Sequence, residues 1–115
     1  MQGKPMISGE DILLKSILEK VKSRLYEIYK DDLVEVLLYG SQARGEAGSG
    51  SDIDIAVVLK KKFNRYEESD RIIDGIYDIS LEYDQLISVL PLSNEEYMNG
   101  IYPIYENIRK EGVVV

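Results

Sequence analysis

The sequence predicts an α/β domain, a small sheet packed with helices, and three observations point to it. Stretches with apolar residues three and four apart alternate along the chain with short runs rich in Val, Ile and Leu. Glycine, proline and acidic capping signals separate these stretches. The length of 115 residues suits a single core, so residues 1–115 are read as one domain.

Ser8, followed by Glu10 and Asp11, reads as the cap and acidic first turn of a first helix. Ile12, Leu14, Ile17, Leu18, Val21, Leu25 and Ile28 extend its apolar stripe to about Tyr29, and Asp31-Asp32 ends it. Leu33 to Tyr39 is a strand that delivers the chain to Gly40. Ser41 to Glu46 reads as a short helix, with Gly45, Gly48 and Gly50 marking its end and the loop beyond. Asp52 to Leu59 is the second strand, beginning on an acidic pair.

Ile72, Ile73, Ile76, Ile79 and Tyr83 mark a second long helix, in which Gly75 costs about 1 kcal/mol relative to Ala. Leu86 to Leu92 is a third strand, broken late by Pro91. Ser93 with Glu95 and Glu96 opens another helix, and Pro103 starts a last one that Gly112 terminates. The order is α-β-α-β-α-β-α, and strand order does not follow from the pattern.

Composition narrows the chemistry. With 44% hydrophobic and 30% charged residues the chain has the make-up of a globular domain. The absence of Cys and His removes thiol nucleophiles, disulfides, imidazole acid/base chemistry and zinc sites of the usual ligand types. Twenty-one acidic residues against 14 basic give a net charge of −7, which disfavours a nucleic-acid partner. No apolar stretch long enough for a membrane span and no leader pattern is read, so no membrane partner and a cytoplasmic location are expected.

Asp52 and Asp54 occupy alternate positions of a strand, so their carboxylates share a face about 7 Å apart along the backbone. Two like charges repel there, and a divalent cation with hard oxygen preference, Mg²⁺ above all, relieves the repulsion and brings phosphate oxygens with it. Upstream, Gly40 and Ser41 stand where a strand gives way to a helix, a place where backbone N–H groups and a hydroxyl can face an anion. Arg44, one turn on, can add a charge-assisted contact to the same polyphosphate. Singly, a Gly-Ser turn, an Asp-x-Asp pair and a surface arginine are ordinary structural features; their order along the chain is what suggests a joint site.

The stretch Gly40-Ser41-Gln42-Ala43-Arg44-Gly45, then Ser51-Asp52-Ile53-Asp54-Ile55, closely resembles the signature of minimal nucleotidyltransferases of the DNA-polymerase-beta-like superfamily. Over residues 40–58 the resemblance is highly specific, and it extends more loosely to the tail from Tyr105 to Gly112. It implies a polymerase-beta-like fold, with a small mixed sheet and helices packed on it. It also implies transfer of a nucleoside monophosphate, AMP from ATP, to a hydroxyl with release of pyrophosphate. By the same resemblance Asp52 and Asp54 hold two Mg²⁺ ions, while Gly40 and Ser41 hold the triphosphate and Arg44 supports it. Small members of the family are often encoded beside a HEPN-domain protein, forming a toxin–antitoxin pair in which AMP is added to a tyrosine of the toxin. A homo-oligomer stays open.

The resemblance also implies a third carboxylate in the next strand, where this chain has Ser88, a neutral oxygen and a weak Mg²⁺ ligand. Asp84 would replace it only in a shifted register; otherwise it caps or solvates a helix–strand junction. Ser88 therefore supports a second reading, a catalytically degenerate nucleotide binder or a contact-only antitoxin. Two further features are noted. Tyr97, Tyr102 and Tyr105 gather near the C-terminus, where they either pack on the sheet or meet another chain. Lys60-Lys61-Lys62 either steers nucleotide or is a solvated strand end.

Overall fold

The computed structural model describes residues 9–45 and 52–115. Along the chain lie α1 (Gly9–Tyr29), β1 (Leu33–Tyr39), α2 (Gly40–Arg44), β2 (Ile53–Leu59), α3 (Arg65–Tyr83), β3 (Ile87–Ser93), α4 (Asn94–Asn99), α5 (Pro103–Glu111) and β4 (Val113–Val114). The strands form one mixed sheet in the order β3-β2-β1-β4, with β1 antiparallel to β2 and β4, and β2 parallel to β3. The α/β fold expected from the alternating pattern is the one formed.

Alternation along β2 divides the core in two. Ile53, Ile55, Val57 and Leu59 face α1 and α3, packing with Ile17, Val21, Leu25, Ile72, Ile76 and Ile79. Ala56 and Val58 face the other way, with Leu37 and Leu92, against Tyr105 and Ile108 of α5. Val57 and Val58 are both fully buried, so β2 is covered on both faces and reads as a near-continuous apolar run.

The close approach of α1 and α3 explains Gly75. A Cβ there would lie 2.6 Å from Ile28 Cδ1, and the Gly75 carbonyl accepts a 2.6 Å hydrogen bond from Arg24. The same guanidinium forms a two-pronged ion pair with Asp78, at 2.7 and 3.0 Å. The low helix propensity of glycine is thus exchanged for packing.

The sequence signals at the helix ends fall close to their expected places. Ser93 and Glu96 form a reciprocal capping box, Pro103 sits in the first turn of α5, and Gly112 caps its end. Ser8, Glu46, Gly48 and Gly50 lie outside the described residues. β2 begins at Ile53, one residue after the expected start, so Asp52 directly precedes it. Pro91 does not break β3: the strand runs through it to Ser93, paired with Val57. β3 is an edge strand, where an absent N–H costs no ladder bond on the open side. The two-residue β4 went unforeseen, being too short for any periodic signal.

Around Glu96 the capping box widens into a network. Its carboxylate accepts from Ser93 N–H at 2.9 Å, from the Tyr105 hydroxyl at 3.0 Å and from Arg65 at 2.5 Å. Burial alone would raise its pKa, but the Ser93 N–H, Tyr105 and Arg65 outweigh it and hold the carboxyl below the ordinary range. A carboxyl so depressed stabilises the fold above its unfolded pKa, and that contribution is lost as pH falls through the folded value. Glu96→Gln is therefore expected to lower the melting temperature at pH 7, with a smaller penalty by about pH 3. Equal penalties at the two pH values would contradict this assignment.

Candidate active site

The antiparallel ladder sets Tyr39 opposite Asp54, and the parallel ladder sets Ser88 on the other side of Asp54. One row therefore crosses three strands, Tyr39–Asp54–Ser88, on the face that carries α5. Asp52, just before the strand, is exposed and near enough for its charge to act on Asp54. The next row inward, Leu37–Ala56–Leu90, belongs to the core beneath α5 or packs against it. The row Tyr39–Asp54–Ser88 borders that core, with Tyr39 packed against it.

β1 passes directly into α2, and the turn is made by Gly40 with φ +75. A Cβ on Gly40 would come within 2.6 Å of Asp54 Oδ2, so the backbone at the start of α2 is seated against the carboxylate. Gly40→Ala is expected to cost about 1–2 kcal/mol from the left-handed backbone alone, and to displace Asp54 as well. An unchanged melting temperature together with unchanged ATP affinity would refute this.

Burial and like charge both act on the ionisable groups here. Burial raises the pKa of Asp54, repulsion from Asp52 adds to it, and Arg44 offsets part of the rise. Tyr39 is raised too, by burial and then by the charge of Asp54. Arg44 is held at 3.1 Å by Glu111 at the end of α5, and this ion pair ties α2 to α5 beside the acidic pair. Among the described residues no group of three acidic side chains is positioned to hold a metal, in keeping with Ser88 opposite Asp54. The chemistry of the donor set fits a hard divalent cation carried in with phosphate oxygens that complete its shell.

Of the residues singled out in the sequence, Gly40, Asp54 and Ser88 come together around one point. Ser41 follows Gly40 in the first turn of α2, Asp52 lies at the rim, and Arg44 is one turn away and engaged with Glu111. Asp84 is not on the strand. It caps α3 in the left-handed conformation, φ 50, and β3 starts only at Ile87, which leaves it the junction role. The lysines 60–62 follow the far end of the seven-residue β2, about 26 Å from Asp52 at Lys60, so they are a strand end remote from this site. Two participants were missed: Glu111, for which an acidic residue in a last helix carries no signal, and Tyr39, whose face depends on the register.

Fold and site define an α/β domain in which a glycine turn opening a short helix meets a pair of carboxylates at one end of the sheet. Comparison with known proteins agrees. The model of the nucleotidyltransferase domain family matches residues 14–111. A Methanocaldococcus jannaschii protein provisionally named protein adenylyltransferase MJ0141 is 39% identical over 72 residues, covering 63% of this chain and 72% of that one. A crystal structure from Sulfolobus solfataricus, provisionally named a nucleotidyltransferase, superposes with a TM-score of 0.52 at 27% identity, over 99% of this chain and 90% of the other. One chain of a toxin–antitoxin crystal structure with AMP-PNP shares the fold, with a TM-score of 0.55 at 18% identity, over 84% of this chain and 70% of that one.

The chain belongs to the nucleotidyltransferase domain family, and the minimal-nucleotidyltransferase signature at residues 40–58 lies inside the matched span.

Proposed function

We propose that this chain transfers AMP from ATP to a hydroxyl of a HEPN-domain partner and so acts as the antitoxin of a toxin–antitoxin pair. The observation that carries the reading is the seating of Gly40 against Asp54, which brings the start of α2 and a carboxylate to one point. Gly40 and Ser41 would hold the triphosphate through backbone N–H groups and the hydroxyl. Asp52 and Asp54 would hold two Mg²⁺ ions. When bound, the ions neutralise the polyphosphate and make the acceptor hydroxyl more acidic. Arg44, positioned by Glu111, would support the phosphates from the α5 side.

The protein-adenylyltransferase name of the M. jannaschii relative supports a protein acceptor, and the AMP-PNP in the toxin–antitoxin structure supports an adenine nucleotide. The net charge of −7 argues against a nucleic-acid acceptor. Among the described residues no helix is long and apolar enough to cross a membrane, and a cytoplasmic setting is part of the same proposal.

Incubation of the co-expressed pair with Mg²⁺ and α-labelled ATP tests the reading. Label on the partner is the expected result. Full inhibition of the partner without any label, persisting in an Asp52→Asn/Asp54→Asn variant, would overturn transfer in favour of a contact-only antitoxin. Ser88 opposite Asp54 is the observation that favours this second reading.

A further inference from the structure

The second long helix carries more apolar surface than the fold uses. Ile72, Ile76 and Ile79 of α3 are buried against the sheet and α1. On the outer side, Tyr66, Ile73, Tyr77 and Leu81 are exposed by 85%, 45%, 59% and 63%. Their spacings of seven, four and four residues place them on one stripe, about 22 Å long.

The charges beside this stripe are acidic apart from Arg24, which is tied to Asp78 and the Gly75 carbonyl at one margin. Asp70 and Asp74 fall within it by helical spacing and Glu67 lies at its margin; all three are exposed. The two basic residues of α3 are both engaged away from the stripe. Arg65 pairs with Glu96, and Arg71 stacks over Tyr29 and meets Glu68. Neither Asp70 nor Asp74 has an ion-pair partner among the described residues.

We propose that this face of α3 is the seat of a basic amphipathic helix from a partner protein. Apolar anchors at three- and four-residue spacing would cover Ile73, Tyr77 and Leu81, and flanking Lys or Arg would meet Glu67, Asp70 and Asp74. Exposed tyrosines are the side chains most often used as binding anchors, because they bury large area with few rotatable bonds. A second copy of this chain fits badly, since two such faces would set carboxylates against carboxylates in a chain already at −7. The stripe lies on the face of the sheet opposite Asp54, so a partner seated there leaves the acidic pair open. The inference stands whether or not the chain transfers AMP.

The test uses the full chain and a fluorescein-labelled peptide of about 18 residues, with Leu at helical spacing and Lys on its flanks. A second peptide keeps the Leu pattern with Glu on the flanks. Expected are binding of the Lys peptide that weakens with salt, no binding of the Glu peptide, and a loss of at least about tenfold in Ile73→Ser/Tyr77→Ser and in Asp70→Lys/Asp74→Lys. All four side chains are exposed, so both variants should melt close to wild type. Absence of Lys-peptide binding, or binding unchanged in both variants, would overturn the proposal. So would a concentration-dependent dimer of the chain that Ile73→Ser/Tyr77→Ser dissolves, which would assign the face to a second copy.

Discussion

Replacing Asp52 and Asp54 together by Asn is expected to lower nucleotide transfer by about 10³-fold or more while leaving the fold intact. Neither side chain contributes to the core: Asp52 is exposed and Asp54 lies beyond the last apolar row of the α5 face. The single change Asp54→Asn carries a second expectation. The carboxyl pKa is raised by burial and by Asp52, so its charged form is disfavoured in the folded chain. Stability attributable to a raised carboxyl is present below the unfolded pKa and lost as pH rises through the folded one. Without metal at pH 7, Asp54→Asn should therefore melt above wild type. With Mg²⁺ and ATP the order should reverse, because only wild type is stabilised by the ligand. A variant that melts below wild type without metal, yet keeps its transfer rate, would show that Asp54 is a structural residue.

The second large effect is a gain. Ser88 stands beside Asp54 across the parallel ladder, on the same face, and is partly exposed. Ser88→Asp would complete a three-carboxylate set at the place where the family resemblance expects one. If transfer is limited by a weakly held second ion, the variant should bind Mg²⁺ more tightly in the presence of nucleotide. Its transfer rate should rise by at least about tenfold, a change of 1.4 kcal/mol in the barrier. In the absence of metal it should melt lower than wild type, since a third carboxylate adds to the repulsion already raising Asp54. Tighter metal binding with no gain in transfer would place the rate limit elsewhere. Unchanged metal binding would remove position 88 from the site altogether.

What could be read before the structure followed from how local each signal is. The stripe of α1, the apolar run of β2 and the capping box at Ser93 are written into neighbouring residues, and their elements formed as expected. The candidate site was proposed on the same kind of signal, because Gly40-Ser41 and Asp52-Ile53-Asp54 are close in the sequence. Strand order, the pairing of Asp54 with both Tyr39 and Ser88, and the Arg44–Glu111 ion pair all join residues distant in the chain. No local pattern encodes them. Pro91 was misread because its cost depends on whether β3 is central or at the edge, which is a property of the sheet. The tyrosines near the C-terminus split by environment: Tyr105 is buried in the α5 core, Tyr97 packs beside it, and Tyr102 is exposed.

The position of Ser88 at the outer margin of the sheet governs which residues can stand there. Asp54 belongs to an interior strand whose apolar residues serve both cores, so that strand tolerates little change. β3 borders only one neighbour, and position 88 is neither buried nor part of either core cluster. A single substitution there changes the charge beside Asp54 without removing a side chain from either core. Residue type at position 88 is thus set by the charge it places beside Asp54 rather than by core packing.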